Sequence, residues 1–81
     1  MKISVMLFAS LRDAAGTNRA ELEVPAQSTP RQIAELLAER HAGLRPHLKT
    51  IAYAIDGEFV AAETKLTEAK ELALLPPVSG G

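Results

Sequence analysis

The chain begins with two segments, residues 2–9 and 18–24, in which apolar and polar positions alternate. A period of two is typical of strands with one face on a core. The apolar faces consist of Ile3, Val5 and Leu7 in the first segment and Ala20, Leu22 and Val24 in the second. Between them, Ser10 is placed to cap a helical turn over residues 11–15 that Gly16 ends in a left-handed conformation. The pattern predicts a hairpin with a wide loop.

The spacing then becomes helical. Thr29 offers a hydroxyl at the cap position, Pro30 suits the first helical position, and Gln32 is placed to bond back to the cap. The residues that recur three and four positions apart are Ile33, Leu36, Leu37 and Arg40. Gly43 and Pro46 are expected to stop the helix. The spacing predicts an amphipathic helix that covers one face of a sheet.

Three more strands complete the pattern. Residues 51–56 alternate, Asp56-Gly57 is a two-residue hairpin signal, and residues 58–61 form the returning strand. Residues 71–75 are apolar on both sides, as in a central strand, and Pro76-Pro77 ends them by removing two backbone donors. We therefore expect five strands and one main helix.

The order of these elements predicts an α+β fold of the β-grasp, or ubiquitin-like, type, with one mixed sheet and the helix across one face. The β-grasp domain is expected to cover residues 1–77. Residues 78–81 are expected to form a flexible Gly-Gly tail, because nothing in the pattern holds them in place.

Composition and charge limit the chemistry. The 81 residues include nine basic and ten acidic side chains and no Cys. Because there is no excess positive charge to neutralise phosphates, neither nucleic-acid binding nor a polybasic membrane contact is favoured. The longest apolar run is far below the ~20 residues that cross a bilayer, and no signal peptide is evident. We expect one small cytoplasmic domain.

Motifs for catalysis are also missing from the sequence. It holds no Gly-rich phosphate loop after a strand and no close cluster of carboxylates and His. His41 and His47 are separated by a Gly and a Pro, which favours two surface histidines over a metal site. We expect no metal, no bound cofactor and no active site within the chain.

The end of the chain carries the candidate chemistry. Pro76-Pro77 stiffens the exit from the last strand, and Val78 and Ser79 lead to Gly80-Gly81 and the free carboxylate. A Gly pair passes through a channel too narrow for a Cβ. The carboxylate is inert at neutral pH, so activation would begin with attack on ATP to give an acyl-adenylate, which a sulfur donor or an amine then captures. The alternative is a frayed end without function.

The strand faces predict a docking surface beside the tail. If Ile3, Val5 and Leu7 face the helix, Phe8 and Leu75 lie on the opposite, outer face, and Phe59 on the fourth strand joins them. An exposed apolar patch of this kind suits a protein partner. The alternative is that Phe8 tucks under a loop.

Two stretches of the chain resemble a known family. Residues 7–16 read LFASLRDAAG, and residues 72–81 read LALLPPVSGG. With AIDG at residues 54–57, they are similar to the small, sulfur-carrying subunits of molybdopterin synthase, the MoaD-like family. The likeness runs the length of the chain, and its most specific part is the Pro-Pro-Val-Ser-Gly-Gly ending.

The resemblance implies a function for Gly81. In this family a partner adenylyltransferase related to ubiquitin-activating enzymes consumes ATP to adenylate the terminal Gly. A sulfur donor, such as a sulfurtransferase or desulfurase, then converts it to a thiocarboxylate, a 1-thioglycine. The tail, Val78, Ser79, Gly80 and Gly81, enters the large catalytic subunit and donates sulfur to the cyclic pyranopterin precursor, which forms molybdopterin.

The resemblance also implies an assembly. The outer face, with Phe8, Phe59, Leu75, Pro76 and Pro77, would pack on the large subunit in a heterotetramer of two small and two large subunits. The chain departs from the family pattern at Ala69, where a turn Gly is usual, and at Leu74-Leu75, where large aromatic residues are common. Neither departure affects Gly81.

Three other functions remain open at this point. The chain could belong to a β-grasp carrier that serves thiamine or cysteine synthesis, which its binding partner would distinguish. It could be a ubiquitin-like modifier, which would form heavier conjugates in cells. It could also be an interaction module with an accidental Gly-Gly end, for which deletion of Gly81 would change nothing.

Overall fold

The computed structural model describes residues 1–68 and 71–77. Within them the chain forms five strands, two α-helices and one 3₁₀ helix. In chain order these are β1 (Lys2–Leu7), α1 (Ala9–Ala15), β2 (Arg19–Glu23), α2 (Pro30–Arg40), the 3₁₀ helix (Ala42–His47), β3 (Ala52–Ile55), β4 (Glu58–Val60) and β5 (Glu71–Leu75).

The five strands form one mixed sheet in the order β2-β1-β5-β3-β4. The central pair, β1 and β5, is parallel, and the other neighbours are antiparallel. The α+β, β-grasp prediction is therefore confirmed. Because β1 and β5 run in the same direction, they end at the same end of the sheet, which we call the exit end; the opposite end is the far end.

The core lies between α2 and the inner face of the sheet. Its residues on the central strands are Ile3, Val5, Leu7, Leu72 and Leu74, and those on α2 are Ile33, Ala34, Leu37 and Ala38. Each fully buried Val, Leu or Ile among them contributes roughly 1.5–3 kcal/mol to folding. The prediction that the odd-numbered face of β1 packs on the helix is confirmed.

The prediction that Leu36 belongs to the buried face of α2 is wrong. Leu36 is 39% exposed, whereas Ala34 and Ala38 are buried beside Ile33 and Leu37. The buried side of α2 therefore consists of two i, i+4 pairs, Ile33 with Leu37 and Ala34 with Ala38. Because this side faces the sheet, Leu36 points away from the sheet.

The start of α2 matches the predicted capping box. The hydroxyl of Thr29 accepts a hydrogen bond from the backbone N–H of Gln32 at 3.2 Å, and the Gln32 side chain accepts one from the Thr29 N–H at 3.0 Å. After Arg40 the chain continues as the 3₁₀ helix, and Pro46 lies inside that helix. Pro46 therefore does not end α2, because the chain has already left the α-helix at His41.

The predicted cap of α1 is wrong, while its end is confirmed. The helix begins at Ala9, so Ser10 lies inside it, and Phe8 occupies the cap position without a side-chain hydrogen bond. Ala9 takes a φ of 50°, which turns the chain sharply out of β1. Gly16 adopts the predicted left-handed conformation with φ 77°, and its N–H donates to the Arg12 carbonyl at 2.9 Å.

The hairpin between β3 and β4 forms at Asp56-Gly57, as predicted. Both residues have positive φ, 47° and 90°, which is the requirement of a type I′ turn. The Asp56 carboxylate also accepts a hydrogen bond from the N–H of Glu71 at 3.3 Å, so the turn is tied to the start of β5.

Candidate functional site

The outer face of the sheet carries an apolar row that crosses four strands. The pairing places Met6 beside Ala73, Ala73 beside Ala54, and Ala54 beside Phe59. The side chains at the centre of the row are small. The side chain at its β4 edge, Phe59, is large and 72% exposed. The two alanines form a shallow floor that Met6 and Phe59 border.

A second apolar row lies next to the first, at the exit end. The Phe8 N–H donates to the Leu74 carbonyl at 3.2 Å, which extends the pairing of β1 and β5 by one residue and brings Phe8 beside Leu75. Leu75 in turn pairs with Ala52 of β3. Phe8 has an extended backbone and is 40% exposed, so it does not tuck under a loop.

The structure therefore brings Phe8 and Leu75 together. It puts Phe59 on the same face, in the neighbouring row and two strands from Leu75. We call this surface the outer patch; its residues are Met6, Phe8, Ala52, Ala54, Phe59, Ala73 and Leu75. The sequence reasoning identified its large members. It missed Ala52 and Ala54, whose side chains give no signal until the strand order places them beside β5.

Polar side chains border the outer patch on the β2 side. The Arg19 guanidinium donates to the Ser4 hydroxyl at 3.4 Å, and that hydroxyl donates to the Glu21 carboxylate at 3.4 Å. Glu71 lies opposite Ser4 on the other side of β1. The outer face is thus apolar toward the exit end and polar toward the far end.

The tail leaves the domain at the exit end. Pro76 is half-buried and Pro77 is exposed, directly after the last residue of β5. Val78, Ser79, Gly80 and Gly81 lie outside the described residues, as does Ala69 with the turn before β5. The predictions for the tail and for that turn therefore stay predictions.

No group of three or more His, Asp or Glu side chains in residues 1–68 and 71–77 is arranged to hold a metal ion. His41 follows the last residue of α2, and His47 closes the 3₁₀ helix. Nor is any helix of the described chain long and apolar enough to cross a bilayer.

A groove lies on the helix side, away from the outer patch. Its volume is about 590 Å³, and it runs between the chain at residues 25–28 and the outward side of α2, with Leu36, Glu35 and Glu39 along its wall. Arg31 pairs with Glu35 at 3.6 Å nearby. None of the residues that line this groove belongs to the outer patch.

The inner face holds one feature that sequence reasoning missed. Tyr53 is 4% exposed, and its hydroxyl finds no hydrogen-bond partner among the described residues. Burial raises the pKa of Tyr53, and Glu35 and Glu63 raise it further against the opposing effect of Arg31. The hydroxyl lies in the core and contributes nothing to the outer patch.

Comparison with known proteins places these features in a family. Residues 5–81 match the model of the ThiS family. The molybdopterin synthase sulfur carrier subunit of Chlamydomonas reinhardtii is 31% identical, with both chains covered completely. The sulfur carrier subunit of Mycobacterium tuberculosis is 28% identical over 100% of this chain and 99% of its own.

Among solved structures, SAMP1 of Haloferax volcanii, a small archaeal modifier protein, superposes with a TM-score of 0.84 at 28% identity, and both chains are covered completely. The chain is therefore similar, over its full length, both to sulfur carriers and to a protein named as a modifier.

Proposed function

Because the chain belongs to the ThiS family, we propose that it is the sulfur-carrier subunit of molybdopterin synthase and acts in molybdenum cofactor biosynthesis. The observation that carries the proposal is the full-length likeness to the Chlamydomonas reinhardtii sulfur carrier subunit, in a chain that ends on Gly80-Gly81. The protein contributes no general acid or base. It is a co-substrate: one partner activates its terminal carboxylate for sulfur transfer, and another partner accepts the sulfur.

The proposed cycle acts on the terminal carboxylate of Gly81. The carboxylate attacks the α-phosphorus of ATP on a ubiquitin-activating-like adenylyltransferase, and pyrophosphate leaves. The persulfide of a sulfur donor, such as a sulfurtransferase or desulfurase, then attacks the acyl-adenylate and displaces AMP. A thiol cleaves the resulting acyl disulfide, which leaves a thiocarboxylate, a 1-thioglycine, and a disulfide on the donor side. The thiocarboxylate sulfur attacks a carbon of the cyclic pyranopterin precursor and displaces an oxygen leaving group, which gives a thioester. Water hydrolyses this thioester, so the sulfur stays on the precursor and Gly81 returns to a carboxylate.

The proposed partner for sulfur transfer is the large catalytic subunit, in a cytoplasmic heterotetramer of two small and two large subunits. The outer patch supports this partner, because Phe8 and Phe59 are large apolar side chains that the domain leaves 40% and 72% exposed. Such residues are typical anchors of protein interfaces. Phe8, Leu75, Pro76 and Pro77 would dock the base of the tail while Val78, Ser79 and Gly80 carry Gly81 into the large subunit.

Intact mass spectrometry tests the cycle. The protein is purified from sulfur-replete cells that make molybdenum cofactor and is measured before and after reaction with iodoacetamide. Since the chain has no Cys, a thiocarboxylate would be its dominant thiol-like nucleophile. The expected result is one alkylated species whose modification maps to Gly81.

Deletion of Gly81 is the control, and it should abolish alkylation without changing the fold. Alkylation also separates sulfur incorporation from oxidation of Met1 or Met6, which leaves no alkylatable group. A protein that stays unreactive after incubation with the adenylyltransferase, ATP and sulfide would contradict the carrier function.

A second candidate function is that of a protein modifier whose Gly81 forms isopeptide bonds with lysines. The full-length likeness to SAMP1 of Haloferax volcanii favours it. A modifier predicts a ladder of heavier conjugates in cells that express a tagged chain, and loss of that ladder on deletion of Gly81. A dedicated carrier predicts the free protein alone.

A further inference from the structure

The exposed charges of the domain separate along the strand direction. Four exposed basic side chains lie on the elements of the exit end, Arg12, Arg40, Arg45 and Lys49, against two acidic ones, Asp13 and Glu39. Acidic side chains collect at the far end: Glu21, Glu23, Asp56, Glu58, Glu68 and Glu71. The formal net charge of −1 conceals this separation.

The strand pairing places these basic side chains at the same end of the sheet as the base of the tail. Helix α1 follows β1 at the exit end, and the 3₁₀ helix packs on α1 where Gly43 lies against the Ala14 backbone carbonyl. The chain then reaches Ala52, which pairs with Leu75, the last residue of β5. Lys49 is three residues before Ala52. Arg45 lies on the 3₁₀ helix, four residues before Lys49.

The acidic side chains lie at the opposite end by the same pairing. Glu23 pairs with Lys2 at the start of β1, and Glu71 begins β5. The Asp56-Gly57 turn connects β3 to β4 beside Glu71, whose N–H bonds to the Asp56 carboxylate. The basic residues on this side of the described chain are Lys2, Lys65 and Arg31 in the first turn of α2, and Arg31 pairs with Glu35.

Internal contacts do not explain the basic end. Arg12 pairs with Asp13 at 3.8 Å, and Arg40 in the last turn of α2 complements the helix dipole. Arg45 and Lys49 are exposed and make no ion pair within residues 1–68 and 71–77. Their like charges repel each other weakly, so their clustering offers the isolated domain no stability.

The exit end and the far end are far enough apart for the charges of each to interact separately with a protein partner. Strand β1 has six residues and spans about 20 Å, whereas the Debye length is about 8 Å at physiological ionic strength. A protein that docks at the exit end therefore experiences the basic side chains, while salt screens most of the field from the acidic end.

We propose that Arg45 and Lys49, with the neighbouring basic side chains of the exit end, form an electrostatic rim that fits an acidic surface on the large subunit, around the opening that receives the tail. The inference rests on the proposed function and names the chemistry of that partner. The outer patch would supply the apolar contact, and the rim would orient the tail toward its opening before contact. Such steering raises association rates far more than it slows dissociation.

Association kinetics with the large subunit from the same organism test the rim. The variants are Lys49→Glu, the double variant Arg45→Glu with Lys49→Glu, and Lys65→Glu as the matched control. Lys65 is exposed near the far end, and its substitution makes the same change in net charge as Lys49→Glu. Rates are measured at about 50 mM and about 500 mM NaCl, since salt at the higher level screens steering.

At low salt we expect the double variant to associate at least about tenfold more slowly than the unmodified protein, Lys49→Glu to be intermediate, and Lys65→Glu to stay within about twofold. At high salt the differences should largely disappear. Equal rates for Lys49→Glu and Lys65→Glu at low salt would overturn the rim, as would a faster association of the double variant. If the unmodified protein does not bind the large subunit at all, the proposed function fails instead.

Discussion

Gly43 lies directly against the backbone carbonyl of Ala14, with no room between them for a side chain. The contact joins the 3₁₀ helix to α1 and so holds two elements of the exit end together. Phe8 precedes α1 and Lys49 follows the 3₁₀ helix, so the contact joins the segments that these two residues flank. A single glycine far from the tail in sequence therefore supports the surface from which the tail leaves.

Substitution Gly43→Ala should destabilise the domain. A Cβ at this position would meet main-chain atoms, which cannot rotate away, so the 3₁₀ helix would have to shift. Overpacking of this kind costs about 1–3 kcal/mol in the free energy of unfolding. The measurement is the midpoint of urea unfolding at constant m-value.

The neighbouring substitution Ala42→Ser serves as the control for Gly43→Ala. Ala42 is exposed, and the free energy of unfolding should change by no more than about 0.5 kcal/mol. Equal stability of the Gly43→Ala variant and the control would show that the two elements separate without cost.

Tyr53→Phe should leave the stability at neutral pH unchanged or raise it by up to about 1 kcal/mol. The hydroxyl that is removed is buried and has no partner among the described residues, so the variant loses no hydrogen bond and no longer buries a polar group. The measurement is chemical denaturation of both proteins at pH 7. A clear loss of stability would mean that the hydroxyl has a partner.

The unmodified protein and the Tyr53→Phe variant should differ in how their free energy of unfolding changes at alkaline pH. Burial raises the pKa of Tyr53 in the folded state, so above pH ~10 the unfolded chain loses the phenolic proton while the folded chain keeps it. The contribution of Tyr53 to stability is therefore constant below this pH and falls as the pH rises above it. Tyr53→Phe should lack this fall. Tyr53 is the single tyrosine, so phenolate absorbance follows its titration directly; an unshifted titration in the folded protein would contradict the prediction.

Local patterns in the sequence predicted those features that depend on neighbouring residues. The alternation in β1 and β5 predicted which residues face the helix, and Thr29 with Gln32 predicted the start of α2. Leu36 was assigned to the wrong face because the apolar residues of α2 fit two overlapping stripes, and packing against the sheet decides between them. Ser10 failed as a cap because α1 begins at Ala9, two residues before the predicted start.

The charge separation could not be predicted before the strand order was known. Lys49 and Leu75 are far apart in the sequence, and only the pairing of β3 with β5 brings the basic segment to the base of the tail. The same holds for Ala54, which becomes part of the outer patch through its pairing with Ala73. Long-range pairing, and not local propensity, assembles the candidate site.

Ala9→Gly should stabilise the domain by about 0.5–1 kcal/mol. Ala9 has a φ of 50°, a left-handed conformation that costs a residue with a Cβ about 1–2 kcal/mol. Glycine relieves this strain but has more conformational freedom to lose on folding. Ala15→Gly, inside the same helix at an ordinary helical position, should instead destabilise by about 1 kcal/mol. Thermal unfolding of the two variants distinguishes them by the opposite signs of their shifts.

Phe59→Ser should weaken binding to the large subunit without loss of stability. Phe59 is 72% exposed, so the domain gains little from it, whereas an aromatic anchor in an interface contributes about 2 kcal/mol, or roughly thirtyfold in Kd. Leu36→Ser is the matched control, because Leu36 is also exposed but lies beside the groove on the helix side. Calorimetric titration of both variants should show weaker binding for Phe59→Ser alone. Equal weakening by both substitutions, or an effect of Leu36→Ser alone, would move the docking surface from the sheet to the helix.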